Sequence, residues 1–296
     1  PLVVNSGSLR KLSGTGVNTV TVPFNNGGLV EIQTGALSLN GGGTNTAQFT
    51  CSSSAAGLRF NGATYTLSIG SSISGPGSVS VLSGTVNLQS VVAIGAWTNS
   101  GTLNFNTLTG AYITNLTVTA GILSASNTIV VPGMFAWTGG TIGSAGSIMT
   151  LLANGGITLN GATRNFNGGT LVNNGTAVWT AGSIFCNNAP LFSNAPTASF
   201  ELQADGTAVT LNSGSPLFVN SGTLRKSVGT GTSTIGIACN NSSLVQVQTG
   251  TLSFSAGGTS SGQFTTPRGT GLSFAGTHML QSGSLVGGPG AMSGAS

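Results

Sequence analysis

Fifty residues of this chain occur twice. Pro1–Lys11 (PLVVNSGSLRK) returns as Pro216–Lys226 (PLFVNSGTLRK), Gln33–Ser38 (QTGALS) as Gln248–Ser253 (QTGTLS), and Gln48–Thr50 as Gln263–Thr265. The offset is 215 in all three cases and shrinks by two by the time Gly75-Pro76-Gly77 returns as Gly288-Pro289-Gly290. Any fold proposed for this chain must therefore build the same stretch twice. Residues 1–215 read as one long repeat and residues 216–296 as the start of a second copy, within a single continuous structure.

A shorter beat runs inside the long one. The pattern Asn-x-Gly/Ser-x-Leu/Val, loosely kept, starts at Asn5, Asn26, Asn99, Asn174, Asn220 and Asn241. Asn5 to Asn26 and Asn220 to Asn241 are steps of 21 residues, and Asn174 to Asn220, at 46, is near two such steps. Asn99 is out of phase. Trp97, Trp137 and Trp179, each followed by Thr, are 40 and 42 residues apart, again two steps. Ten steps of about 21 residues fill the long repeat, and a period in this range marks a solenoid, propeller or array.

The contents of one step choose among these. After the Asn turn comes an alternating run such as Val30-Glu31-Ile32, then a Gly, then a second run such as Leu37-Ser38-Leu39, then a Gly-rich turn such as Asn40–Gly43. Alternation at period two is the mark of a half-buried strand. Gly and Asn tolerate the positive φ that tight corners need. The dominant residues, Gly, Ser, Thr, Asn and Val, are poor helix formers. Disorder is excluded because 39% of the residues are hydrophobic and they alternate with polar ones. A propeller blade of the WD40 kind needs Asp and His signatures, and the chain has one of each. A sandwich array would repeat every ~100 residues. Two or three strands and as many corners per step make one coil of an all-β, parallel β-helix, each strand pairing with its equivalent about 4.8 Å along the axis. Right-handedness is assumed from the chirality of parallel crossovers. Val30, Ile32, Leu37, Leu39, Val245, Val247, Leu252 and Phe254 are expected to face inward. Around the tryptophans both registers remain open.

The phrases Asn220–Lys226, Gly229–Ile235, Gln248–Phe254 and Ala136–Thr141 resemble those of giant tandem-repeat bacterial surface or secreted proteins, such as filamentous adhesins and autotransporter passengers. The resemblance covers the whole chain. It implies a right-handed parallel β-helix with an attachment, matrix or cell-surface role outside the cell. A chain that starts inside one repeat and stops inside another reads as a segment of something longer, and the partner expected first is itself, through end-to-end stacking or one long polypeptide. Polysaccharide and the cell surface are further candidate partners.

Chemistry is sparse. Charged residues make up 3% of the chain, against about 25% in an average one. The net charge of +4 comes from seven basic and three acidic residues, with no basic run longer than two. No nucleic-acid partner is expected, and no apolar run approaches the ~18 residues of a membrane helix. Many β-helices cleave glycans, which takes two facing carboxylates. The acids here are Glu31, Glu201 and Asp205. Glu31 is Gln246 in the second copy. Glu201 is expected to point outward and Asp205-Gly206 to turn, so we expect no enzyme. A groove joining these two acids to exposed aromatics such as Trp179 or Tyr112 would instead favour a carbohydrate-binding or carbohydrate-active β-helix. Cys51 and Cys239 correspond to Thr266 and Phe24, and Cys186 completes the set. No disulfide, metal or other cofactor is expected, and exchanging Cys51 for Thr or Cys239 for Phe should be tolerated. His278 stands where the first copy has Thr64. Arg10-Lys11 and Arg225-Lys226 recur once per long repeat. They are the candidate contact residues for an acidic surface, weighed against solvated corners that block sideways strand pairing. Thr19-x-Thr21, Thr64-x-Thr66 and Thr117-x-Thr119 raise an ice-binding reading, but they do not recur in every step, so no flat threonine array is expected.

Overall fold

The computed structural model describes residues 1–107 and 110–294. Among them every regular element is a β-strand, and all pairings are parallel. The chain is a β-solenoid of about 14 turns, spaced about 21 residues apart. By contacts it divides into two units, residues 1–136 with 140–143 and 148–150, and residues 137–139 and 144–147 with the rest.

In the first unit each early turn carries three strands. Val3–Asn5, Phe24–Asn26, Gly43–Asn45 and Thr64–Leu67 follow one another on one sheet, which continues through Thr85–Leu88, Thr102–Phe105, Ile122–Ala125 and Gly140–Ile142. Ser8–Lys11, Leu29–Ile32 and Gln48–Cys51 form a second face, and Val17–Val20, Gly35–Leu39 and Ala56–Phe60 a third. Ser72–Val81 then runs through the corner between these two faces as one strand, as does Val91–Asn99 after it. In the second unit one sheet holds Arg164–Phe166, Ile184–Cys186, Gly206–Leu211, Thr232–Gly236, Thr251–Phe254, Gly271–Phe274 and Ala291–Gly294. A second face holds Thr170–Asn173, Leu191–Asn194, Leu217–Asn220 and Ala238–Asn241, and a third holds Thr176–Trp179, Ser199–Leu202, Thr223–Lys226 and Leu244–Val247.

Parallel register stacks like positions. Every second residue of each strand points into the turn, where single-turn cores merge into continuous ladders. All eight residues expected inward are buried, and so are Trp97, Trp137 and Trp179, which settles the register around them. Aromatic rings stack in the interior. Phe192, Phe200 and Phe218 lie with ring centroids 5.2–5.3 Å apart. Corners need glycine where backbones close in. At Gly43 (φ 133°) a β-carbon would lie 2.1 Å from the Phe24 carbonyl oxygen, so no side chain fits.

The Asn positions prove to be interior. In the first unit Asn5 Nδ2 donates to Asn26 Oδ1 and Asn26 Nδ2 to Asn45 Oδ1, both at 2.7 Å. In the second unit Asn173, Asn194, Asn220 and Asn241 form the same ladder at 2.8–2.9 Å, ending on Ser260 Oγ at 3.0 Å. The amides also reach backbone carbonyls at the corner, as Asn220 does to Gly222 (3.2 Å) and to Leu244 in the next turn (3.1 Å). The sequence motif at Asn174 is one residue off. Asn173 occupies the ladder, and Asn174 lies outside, bonded to Asn154 at 2.7 Å.

Candidate functional site

The charged residues gather where the repeat's Arg-Lys pair lies. In the second unit Ser199–Leu202, Thr223–Lys226 and Leu244–Val247 are neighbours, so Glu201, Arg225 and Gln246 stand in one outward row. Arg225 NH1 lies 3.0 Å from Glu201 Oε1, and its Nε donates to Gln246 Oε1 at 2.8 Å. Glu201 does project outward, but Arg225 covers it and it is only 7% exposed.

Lys226 departs from expectation. It is neither a surface contact nor a solvated corner. Its parity is that of Leu224, so it points inward and is 0% exposed. A buried ammonium must have its three donors met. They go to Asp205 Oδ1 at 2.7 Å, Ser233 Oγ at 2.9 Å and the Val228 carbonyl at 3.1 Å. Asp205 sits at the corner of the preceding turn and also accepts from Gly231 N–H at 2.9 Å. The hydrogen bond from Lys226, then that from Gly231, holds the Asp205 carboxyl below its ordinary range. In the first unit Arg10 Nε lies 3.2 Å from Glu31 Oε2 and is largely exposed. Lys11, half-buried, donates to Asn18 Oδ1 at 2.7 Å and to the Ser13 carbonyl at 3.3 Å. Of the four candidate contact residues, Arg10 is thus the open one.

As chemistry, this arrangement is weak. Asp205 is kept ionised, which unfits it as a general acid. Trp179 is 2% exposed and cannot line a sugar groove, because its indole turns inward and donates to the Gly182 carbonyl. Tyr112 is 51% exposed. Cys51, Cys186 and Cys239 are buried, unpaired by disulfide, and pushed up by burial to about 12, far from the thiolate that chemistry or metal binding needs. Among the described residues no three His, Cys, Asp or Glu side chains form a group that could hold a metal. His278 packs on Phe274 at 4.7 Å between ring centroids, and burial lowers its pKa.

Two features were missed in the sequence. Arg164 is fully buried in the second unit, and its guanidinium gathers the carbonyls of Trp137, Asn160, Ala181 and Gly182 at 2.6–3.0 Å. Burial lowers its pKa to about 10. The available signal was parity with Phe166, two residues on. The second is a threonine row. Thr64, Thr85 and Thr102 are in register on one sheet of the first unit, with Thr66, Asn87 and Asn104 beside them. The row is one threonine wide and three long: Asn87 and Asn104 stand where the second threonine of the motif would be, and Ile122 follows Thr102. Set against protein-family models, curated proteins and solved structures, the chain matches none.

Proposed function

We propose that this chain is a non-enzymatic, structural β-solenoid segment of an extracellular or cell-surface filament, stalk or adhesin. The observation that carries the reading is the use made of its few charges. Glu31, Glu201 and Asp205 each join one turn to the next through Arg10, Arg225 and Lys226, so all the acid in the chain serves turn stacking. The repeat phrases resembling tandem-repeat surface proteins support the location. Electron microscopy of native material tests it. Fibres with a repeat of about 4.8 Å along the axis are expected, and discrete globular particles would overturn the reading.

A second reading has one observation in its favour. The in-register threonines on the first unit present hydroxyls at strand spacing, as an ice-facing solenoid would. Thermal hysteresis in a freezing assay would support it, and none at high protein concentration would remove it.

A further inference from the structure

Most basic residues of the chain have their donors answered from within it. Glu31, Glu201 and Asp205 serve Arg10, Arg225 and Lys226. Asn18 and Ser13 serve Lys11, and four backbone carbonyls serve Arg164. Arg59 and Arg268 remain, and among the described residues neither has a hydrogen bond or an ion pair. Arg59 is half-buried in Ala56–Phe60, on the third face of the first unit. Strands flank it on both sides, Val17–Val20 and Gly35–Leu39 before it, Ser72–Val81 and Val91–Asn99 after it. Its outward column reads Thr19, Ser38, Arg59, Ser80, Thr98, Thr117. A guanidinium in the middle of a sheet guards no edge. With every carboxylate of the chain already paired, its five donors are left to solvent or to a ligand.

Beside Arg59 the surface is cut away. Ala36 and Gly57, small residues in register in the neighbouring column, leave an open cleft of about 180 Å³ that Ser54, Ser78 and Ser80 share with Arg59. Ser78 Oγ donates to the Ala56 carbonyl at 3.4 Å and keeps its lone pairs free. The second copy keeps the charge and moves it. Gly57-Leu58-Arg59-Phe60 is Gly271-Leu272-Ser273-Phe274 there. Ser273 stands between Ser253 and Ser293 as Arg59 stands between Ser38 and Ser80. The corner closed by Ala56 N–H on the Ser53 carbonyl at 3.1 Å recurs as Thr270 on Pro267 at 3.1 Å, which sets Arg268 at the place of Ser54. Serine and arginine have changed places. The fold requires arginine at neither position, since serine fills each in turn, yet each copy sets one unpaired arginine and one serine at the two.

We propose that Arg59, with Ser54, Ser78 and Ser80, binds the acid group of a glycan. The ligand is a singly charged sugar, a uronate or a sulfated one, its anionic group on the guanidinium fork and its hydroxyls on the serines. The lining disfavours other anions. It holds one cation, too few for a diphosphate, no aromatic ring on which a nucleic-acid base would stack, and no large apolar side chain for a lipid. Single chains would bind such a sugar whether or not they assemble into fibres, so this site and the filament reading fail separately.

Isothermal titration tests it in a chain carrying Arg268→Gln, which leaves Arg59 the one unpaired arginine among the described residues. Trigalacturonate and galactose 6-sulfate are the probes, with the methyl ester of the first and inorganic phosphate as controls. At least one probe is expected to bind at least about tenfold more tightly than both controls, the factor that one charged hydrogen bond is worth. Adding Arg59→Gln should cost at least about tenfold in affinity. Its circular dichroism should not change, since Ser273 shows the strand forming without arginine. Ser54→Arg together with Arg59→Ser, which writes the second copy's arrangement into the first, should restore binding. If neither probe binds, if the ester or phosphate binds as tightly as the probes, if Arg59→Gln makes no difference, or if the exchange does not restore affinity, the proposal is wrong.

Discussion

Phe218 and Cys239 face each other across adjacent strands where the first copy has Val3 and Phe24. The bulk has changed sides, so the copies reach similar volume by opposite choices. This corrects the expectation that Cys239→Phe simply borrows the other copy's solution. Alone it sets two phenyl rings in one slot, an overpacking of about 1–3 kcal/mol. With Phe218→Val beside it, most of that loss should return, and melting temperatures of the two single variants and the double variant measure it. Cys51→Thr should cost under about 1.5 kcal/mol, since Thr266 already stands there with its hydroxyl 3.4 Å from the Gly287 carbonyl. Alternation made the aliphatic interior legible, as at Val30 and Ile32. It was unreadable at Trp97 and Trp179, where small or weakly polar neighbours fit either face. It misled at Lys226, because a rule that sends charges outward overrode the parity shared with Leu224. The aspartate that makes an inward lysine tolerable lies one turn away in the sequence, with nothing local to mark it.

At the scale of the element, the asparagine ladder turns a corner into a polar spine. Each rung gives its amide to the next turn, so removing one orphans groups on both sides. Asn220→Ala should cost about 2–4 kcal/mol, from one or two buried groups left unpaired at about 1–3 each. Asn174→Ala, on the exposed neighbour, should stay within about 0.5 kcal/mol. Chemical denaturation of both variants checks the contrast, and equal losses would place the spine's contribution elsewhere. The ladder's period was plain in the sequence. Its register was not, because Asn173-Asn174-Gly175 offers two asparagines one residue apart, and only the fold decides which faces in.

For the whole molecule, so few titratable groups leave a stability profile with two steps on the acid side. Burial against the phenyl rings lowers His278 below its ordinary 6.5. The unfolded chain therefore takes up that proton first, and stability falls as pH drops from about 6.5 to the folded value, then levels. Asp205 is lowered below 3.8 by Lys226 and Gly231. Its contribution is whole above the unfolded value and is lost as pH falls through the folded one. His278→Phe should erase the first step and Asp205→Asn the second, read as melting temperature against pH. A profile unchanged by both would mean these groups do not sense folding.

The spine also decides how the chain ages. An Asn followed by Gly cyclises when the glycine nitrogen can swing onto the side-chain carbonyl. Asn26-Gly27 is such a pair, but its amide is clasped at 2.7 Å by Asn5 and by Asn45. Asn160-Gly161 and Asn174-Gly175 are the same dipeptide on the outside. Peptide mapping after long incubation should find isoaspartate at the outer pairs while Asn26 stays intact, so the molecular clock of this protein runs on its surface and is stopped inside.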